Sequence, residues 1–397
     1  MELYLQVGAK MMGLCRDLFQ DWGGGTAILS PRDLDPDQMA RLSRSLRQNG
    51  TILLDPQFYL PRADYQRLVS HDYWPDDYDT VGFADGSRQT MIQKLVELNR
   101  RLGTTALIVP GERAEIVNNP WLDSQRGYLE TARNVTDQPL IATICLSAEA
   151  IRSQEQISLV MEQAEQLPAL GYYLVLERPD RTYLTDDPLW LAHSLDLAAG
   201  LRRLGRTVIV GYSNQQQLIM ACAAVNAIAS GTYLNVRTFS VRKFNRSYGE
   251  GFRRRAVWYY CPQTFSEYKL QFLDFGVERG FRDALYPETP SPYTAPLFAT
   301  DQPTASGWRE PDSFRHYLTA VRTQARSLTR GTFDETVAAY RALLDRAENV
   351  SNQLRGEGIF GQDRDFRAVL DANRAALIFL EDTQGPVLRR SWLNLLQ

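Results

Sequence analysis

The chain reads as an α/β protein, a (β/α)8 TIM-like barrel with a helical C-terminal extension, and three features predict this. Short apolar, strand-forming runs alternate with longer helix-patterned stretches over the first 235 residues, the rhythm of parallel strands joined by crossover helices. Eight such runs occur, the number that closes a barrel of this class. From about Pro262 the alternation gives way to helical spacing interrupted by proline-rich connections.

The predicted strands are residues 3–7, 27–30, 52–55, 106–110, 140–146, 172–177, 208–211 and 227–233. Each is a short apolar run, as expected of a parallel strand covered on both faces. Residues 39–46, 91–102, 157–167, 189–204 and 215–224 carry apolar side chains at helical spacing, which supplies the crossovers. Residues 287–303 read as an irregular linker, and 313–328, 332–354 and 365–380 as further helices. The expected division is a catalytic barrel over 1–261, including a basic aromatic segment at 237–260, and a mainly helical region over 262–397.

Composition narrows the function. With 397 residues, 44% hydrophobic and 23% charged, the chain can bury a large core. A formal net charge of -3 means that attraction to nucleic acid must come from a local patch. Cys15, Cys145, Cys222 and Cys261 are too dispersed for a Cys-x-x-Cys motif, and there are 3 histidines, so a structural zinc site is not expected. The chain opens on a strand-like run and carries no stretch of about 18 apolar residues. Reduced thiols and the missing anchor together predict a cytoplasmic protein without a membrane partner.

In a barrel, chemistry gathers on the loops after the strands, and Thr51-Ile-Leu-Leu-Asp-Pro-Gln-Phe-Tyr59 delivers a carboxylate and two aromatics to such a loop. Asp55 is therefore the first catalytic candidate; capping the next turn or pairing with Arg62 is the competing role. Glu177 ends its own strand and is a second carboxylate for the same mouth, where two carboxylates can divide acid and base work or stabilise a cationic sugar. A salt bridge to Arg178 or Arg181 is its alternative. The long loop at 58–89 contains Ser70-His71-Asp72-Tyr73-Trp74-Pro75; long loops in compact domains are commonly functional or mobile. His71 is a candidate proton donor by its near-neutral pKa, with a structural hydrogen bond as the alternative. Gln57, Phe58, Tyr59, Tyr73, Trp74 and Tyr212 are candidates to hold a base.

Arg237, Arg242, Lys243, Arg246, Arg253, Arg254 and Arg255 form the densest basic stretch, with Phe239, Phe244, Tyr248 and Phe252 between them. Cations interleaved with aromatics offer phosphate partners and flat stacking surfaces. A solvated basic loop paired with Asp76, Asp77 and Asp79 is the plainer reading. Gly23-Gly24-Gly25 precedes a strand instead of opening a helix and suits a turn better than a phosphate cradle. Gly111-Glu112-Arg113, Gln6 and Lys10 are weaker ligand-orienting candidates.

Taken together, residues 1–240 resemble the tRNA-guanine transglycosylases and their DNA-acting relatives. Leu3-Tyr-Leu-Gln-Val-Gly8 resembles the family's first strand and glycine turn, and Ile52-Leu-Leu-Asp55 the strand carrying an essential aspartate. Val225-Asn-Ala-Ile-Ala-Ser-Gly231 and Asn235-Val-Arg237 resemble in position the segment with the nucleophilic aspartate and a downstream arginine. Here Ala229, Ser230 and Gly231 stand where that aspartate falls, and the family's zinc cluster is missing. Base exchange through a covalent sugar intermediate needs that carboxylate. The resemblance therefore implies excision by water, as in anti-phage DNA glycosylases: a base, modified or not, is flipped out and removed to leave an abasic site. That base-removing chemistry needs no metal or redox cofactor, since side chains can supply leaving-group protonation and cation stabilisation. Three alternatives remain: a base-exchanging transglycosylase, a noncatalytic nucleic-acid-binding barrel, and a small-molecule barrel enzyme.

Overall fold

In the computed structural model, which describes residues 1–78, 86–179, 182–246 and 256–396, strand β1 (Glu2–Gln6) lies between β2 (Gly25–Leu29) and β9 (Ala227–Ser230). The first and last of the predicted strands are thus neighbours, and the sheet curls. The others are β3 (Gly50–Leu54), β4 (Leu107–Val109), β5 (Arg113–Ala114), β6 (Leu140–Leu146), β7 (Gly171–Leu176) and β8 (Thr207–Val210). All pair in parallel in the order β3-β2-β1-β9-β8-β7-β6-β4, with the short β5 also beside β6. β3 and β4 stand at the two ends of that order. Thr105 N donates 3.1 Å to Ile52 O across the gap, but among the described residues no ladder joins the two strands. The α/β class and the curled parallel sheet agree with expectation; closure into a full barrel is not part of the hydrogen-bonded sheet.

Register aims the polar residues. Gln6 pairs with Ile28 and Leu29 with Leu54, so side-chain alternation turns Gln6, Ser30 and Asp55 to one face. The opposite face is covered by helices, including Met12–Trp22, Pro36–Leu46, Arg88–Leu102, Asn119–Val135, Gln154–Gln166 and Pro188–Arg203. Pro36–Leu46 begins with a capping box between Asp35 and Gln38. The predicted helix at 215–224 is a 3-10 helix, Gln215–Ala223, whose first turn is capped by Asn214.

The C-terminal helices Glu310–Leu328, Phe333–Gly356, Leu370–Thr383 and Gly385–Leu396 share one core with the sheet through Tyr317, Val321, Tyr340, Leu377 and Trp392. Glu310–Leu328 packs on β1 and Leu370–Thr383 on Pro188–Arg203. An antiparallel hairpin, β10 (Trp258–Cys261) and β11 (Ser266–Lys269), straddles the expected boundary at 261. It belongs with a second, smaller core of Tyr259, Tyr268, Leu285, Phe298 and Trp308. No helix among the described residues is long and apolar enough to cross a membrane.

Candidate active site

Asp55 directly follows β3, its N–H bonded to Leu29 O at 3.1 Å. Its Oδ1 accepts from Tyr59 OH at 2.6 Å and from Gln57 N at 2.9 Å. Its Oδ2 accepts from Tyr212 OH at 3.0 Å, Gln6 Nε2 at 3.3 Å and Tyr173 OH at 3.4 Å. Donors from β1, from β7 and from the loops after β3 and β8 thus converge on one carboxyl that is 0% exposed. The Gln57 contact is an Asx-type turn, so Asp55 also caps the turn that follows it. Gly211 makes room for this cluster, since a Cβ there would stand 2.4 Å from the Tyr173 hydroxyl.

Burial pushes the Asp55 carboxyl up to about 6, against the pull of the hydrogen bonds from Tyr59, Gln57, Tyr212 and Tyr173, which favour its charged form. Burial and the neighbouring carboxylate hold the Tyr59, Tyr173 and Tyr212 hydroxyls well above their ordinary value. They remain protonated donors at neutral pH. A carboxyl titrating near pH 6 can accept or release a proton under physiological conditions.

The aromatic candidates pack on one another. Phe58 meets Trp74 at 5.0 Å, Tyr78 at 5.9 Å and Tyr128 at 6.1 Å between ring centroids. Tyr59 meets Phe239 at 5.2 Å, Phe244 at 5.7 Å and Tyr212 at 6.2 Å, and Tyr73 donates to Pro56 O at 2.7 Å. All six predicted base-holding residues are buried. Instead of lining an open slot, Tyr59 and Tyr212 are covered by Phe239 and Phe244.

Glu177 is joined to Arg113, through Nε at 2.7 Å and Nη2 at 2.6 Å. Arg178, one of the two arginines expected to pair with it, has its head elsewhere, and Arg181, the other, falls outside the described residues. His71 is buried, with Nε2 2.9 Å from Pro31 O and its ring stacked on Tyr73 at 5.9 Å. Burial lowers its pKa, so the imidazole is neutral at pH 7. Among the described residues no hydrogen bond connects it to Asp55.

The basic stretch divides. Arg237, 2% exposed, pairs with Glu267 at 3.2 Å, bonds Gly231 O at 2.8 Å and lies over the Tyr317 ring at 3.4 Å. Lys243 is buried, with Nζ bonded to Leu234 O at 3.1 Å, to Thr238 Oγ1 at 3.0 Å and to Thr238 O. These two correct the expectation of a continuous phosphate-facing row. Phe239 and Phe244 are drawn onto Tyr59 and carry Lys243 inward, while Arg237 finds a counter-ion on β11. Arg242 and Arg246 are exposed, and Arg253, Arg254 and Arg255 lie outside the described residues.

No protein-family model and no curated protein matches this chain. Its site therefore rests on its own geometry. Among the described residues no group of three or more His, Cys, Asp or Glu side chains is arranged to hold a metal ion. Tyr173 is the site residue that sequence reasoning misses, because an aromatic inside an apolar run looks like strand packing. Its signal is alternation: Tyr173 pairs with Ile209, two residues before Gly211 on the same face. Arg113, expected to be a weak ligand-orienting residue, is the partner that holds Glu177.

Proposed function

We propose that the chain is a nucleic-acid N-glycosidase, with DNA as its preferred substrate, whose curled sheet acts as a (β/α)8 barrel around the Asp55 cluster. The observation that carries this reading is a carboxyl at a strand end, wholly buried, ringed by protonated tyrosines and titrating near pH 6. The single Thr105 to Ile52 hydrogen bond supports closure between β3 and β4.

In this reading Phe239 and Phe244 swing off Tyr59, and a flipped nucleotide takes their place against Tyr59 and Tyr212. The C1′–N bond breaks and its electron pair leaves with the base, which accepts hydrogen bonds from the Gln57 amide and a tyrosine hydroxyl. Ionised Asp55 stabilises the cationic sugar. A water oxygen then bonds to C1′, and its proton passes through Asp55 to the departed base nitrogen, which leaves the base neutral and Asp55 ionised again. Exposed Arg242 and Arg246 hold flanking phosphates, and modified bases of phage genomes are the natural substrates to try.

The test is incubation with unmodified and hypermodified phage DNA, followed by mass analysis of released bases and scission at abasic sites. Free base and scission with wild type support excision. A covalent protein–nucleic acid adduct resolved by free base supports exchange. A second reading draws on the saturation of Asp55 by five donors, which suits a structural hub in a noncatalytic nucleic-acid-binding barrel; tight binding with unchanged substrate supports it.

A further inference from the structure

A cleft of about 550 Å³ opens beside the loop that follows Asp55, and Pro61, Asp64, Trp74, Pro75, Asp76 and Arg246 are in its lining. Its wall toward the Asp55 site is aromatic. Phe58, between Gln57 and Tyr59, meets Trp74 at 5.0 Å, and Tyr73 ties the same loop by donating to Pro56 O at 2.7 Å. Trp74 is 8% exposed, yet its indole N–H donates to nothing among the described residues. The indoles of Trp22, Trp121, Trp190, Trp308 and Trp392 each donate to an oxygen, at 3.3, 2.9, 2.9, 3.0 and 2.9 Å. A buried tryptophan N–H ordinarily finds an acceptor. On the wall of a cleft, a ligand can supply one.

The rest of the lining narrows that ligand. Pro61 and Pro75 offer apolar surface to a planar ring, and so little of Trp74 is exposed that it presents an edge and not a face. Arg246 is exposed at the rim, where Asp64 Oδ1 holds its backbone N–H at 2.7 Å. A guanidinium is a fork for phosphate oxygens, and the exposed Asp76 carboxylate accepts from ring N–H or amino groups. We propose that the cleft is a subsite for the nucleotide next to the one at Asp55. Its base lies against Pro61 and Pro75, a base carbonyl or ring nitrogen accepts from Trp74 Nε1, and its phosphate sits on Arg246. The phosphate contact positions the strand and the tryptophan reads the base edge. The volume suits such a ligand, since small-molecule clefts span roughly 300–1,000 Å³.

The subsite rests on the reading that the substrate is nucleic acid, and not on which bond is cut. Its test follows the Trp74 indole N–H resonance of the full isotope-labelled chain, identified by its loss in Trp74→Phe. The ligands are a single-stranded deoxythymidine trinucleotide and deoxythymidine alone. The trinucleotide should shift the resonance saturably, and the nucleoside, which lacks phosphate, should do so only at higher concentration. Trp74→Phe and Arg246→Gln should each weaken trinucleotide binding roughly fivefold in fluorescence anisotropy, with unchanged far-UV circular dichroism. Should Trp74→Phe fail to fold, exposed Arg246→Gln decides. A Trp74 resonance unmoved by the trinucleotide, or undiminished affinity in a folded variant, overturns the subsite. Base release from DNA with Trp74 unmoved would sink the subsite alone, whereas a shifted Trp74 without base release would sink the glycosidic chemistry alone.

Discussion

Gln57 and Tyr212 sit on loops 155 residues apart, and the Gln57 Nε2 donates a 2.8 Å hydrogen bond to the Tyr212 hydroxyl. Both hold left-handed backbone conformations, with φ 55° and 50°. Non-glycine residues rarely adopt these without tertiary support, and such strain gathers at sites where geometry matters. Each also bonds Asp55, Gln57 through its N–H and Tyr212 through its hydroxyl. Two strained loops, far apart in the sequence, therefore fix one buried carboxyl.

The Tyr59 hydroxyl favours the charged form of Asp55, so Tyr59→Phe should raise the Asp55 pKa further above its present value of about 6. A hydrogen bond of this kind, worth about 1 kcal/mol, corresponds to a shift of about one pH unit. In a reaction that needs ionised Asp55, kcat/KM rises with pH through that value. The midpoint of the profile should move upward in Tyr59→Phe, and an unmoved midpoint would separate Asp55 from the rate.

Stability should carry the same signature. Because folding raises the Asp55 pKa from 3.8 to about 6, its contribution is fully present below pH 3.8 and is lost as pH rises through 6. The loss amounts to about 3 kcal/mol. Urea melts of wild type and Asp55→Asn between pH 4 and 7 should show the wild-type advantage shrinking by about that amount. A pH-independent difference would contradict the assigned shift.

Arg237 is expected to be a stability residue. Arg237→Ala leaves buried Glu267 with Arg364 at 2.8 Å and Tyr183 at 2.6 Å as its remaining partners, and should destabilise by about 3 kcal/mol. Denaturant melts measure this. The salt dependence of DNA binding should not change, and a reduced salt slope would return Arg237 to the phosphate-contacting set.

Arg242 and Arg246 should behave in the opposite way. Alanine at either position should lower the slope of log affinity against log salt by about 1 for each phosphate that the side chain neutralises, with Tm unchanged. Fluorescence anisotropy with labelled DNA across a salt series reads this directly. Identical slopes would remove this face from the interface.

The sheet is legible in the sequence because its strands are apolar runs with clear ends; Leu140–Leu146 matches its predicted span to the residue. Asp55 is legible for the same reason, as a charge placed where a run stops. Tyr173 is not, since a hydroxyl on a strand aromatic has no sequence signature until register shows which way it points. Arg237 and Lys243 look like surface cations because their partners, Glu267 and the Leu234 and Thr238 carbonyls, depend on a hairpin and a turn that charge counting does not reveal. Asn119–Val135 escapes a reading by periodicity although Asn118 caps it and Pro120 follows, a start signal without a long apolar stripe behind it.

The central claim is that Asp55 does chemistry on a glycosidic bond, and base release by Asp55→Asn tests it most directly. Asn keeps the volume and removes the ionisation. Wild type should release free base and leave scissile abasic sites, while folded Asp55→Asn binds the same DNA and releases roughly a thousandfold less, on the order expected for losing a stabilising or proton-accepting group. Undiminished base release by the variant would contradict the account.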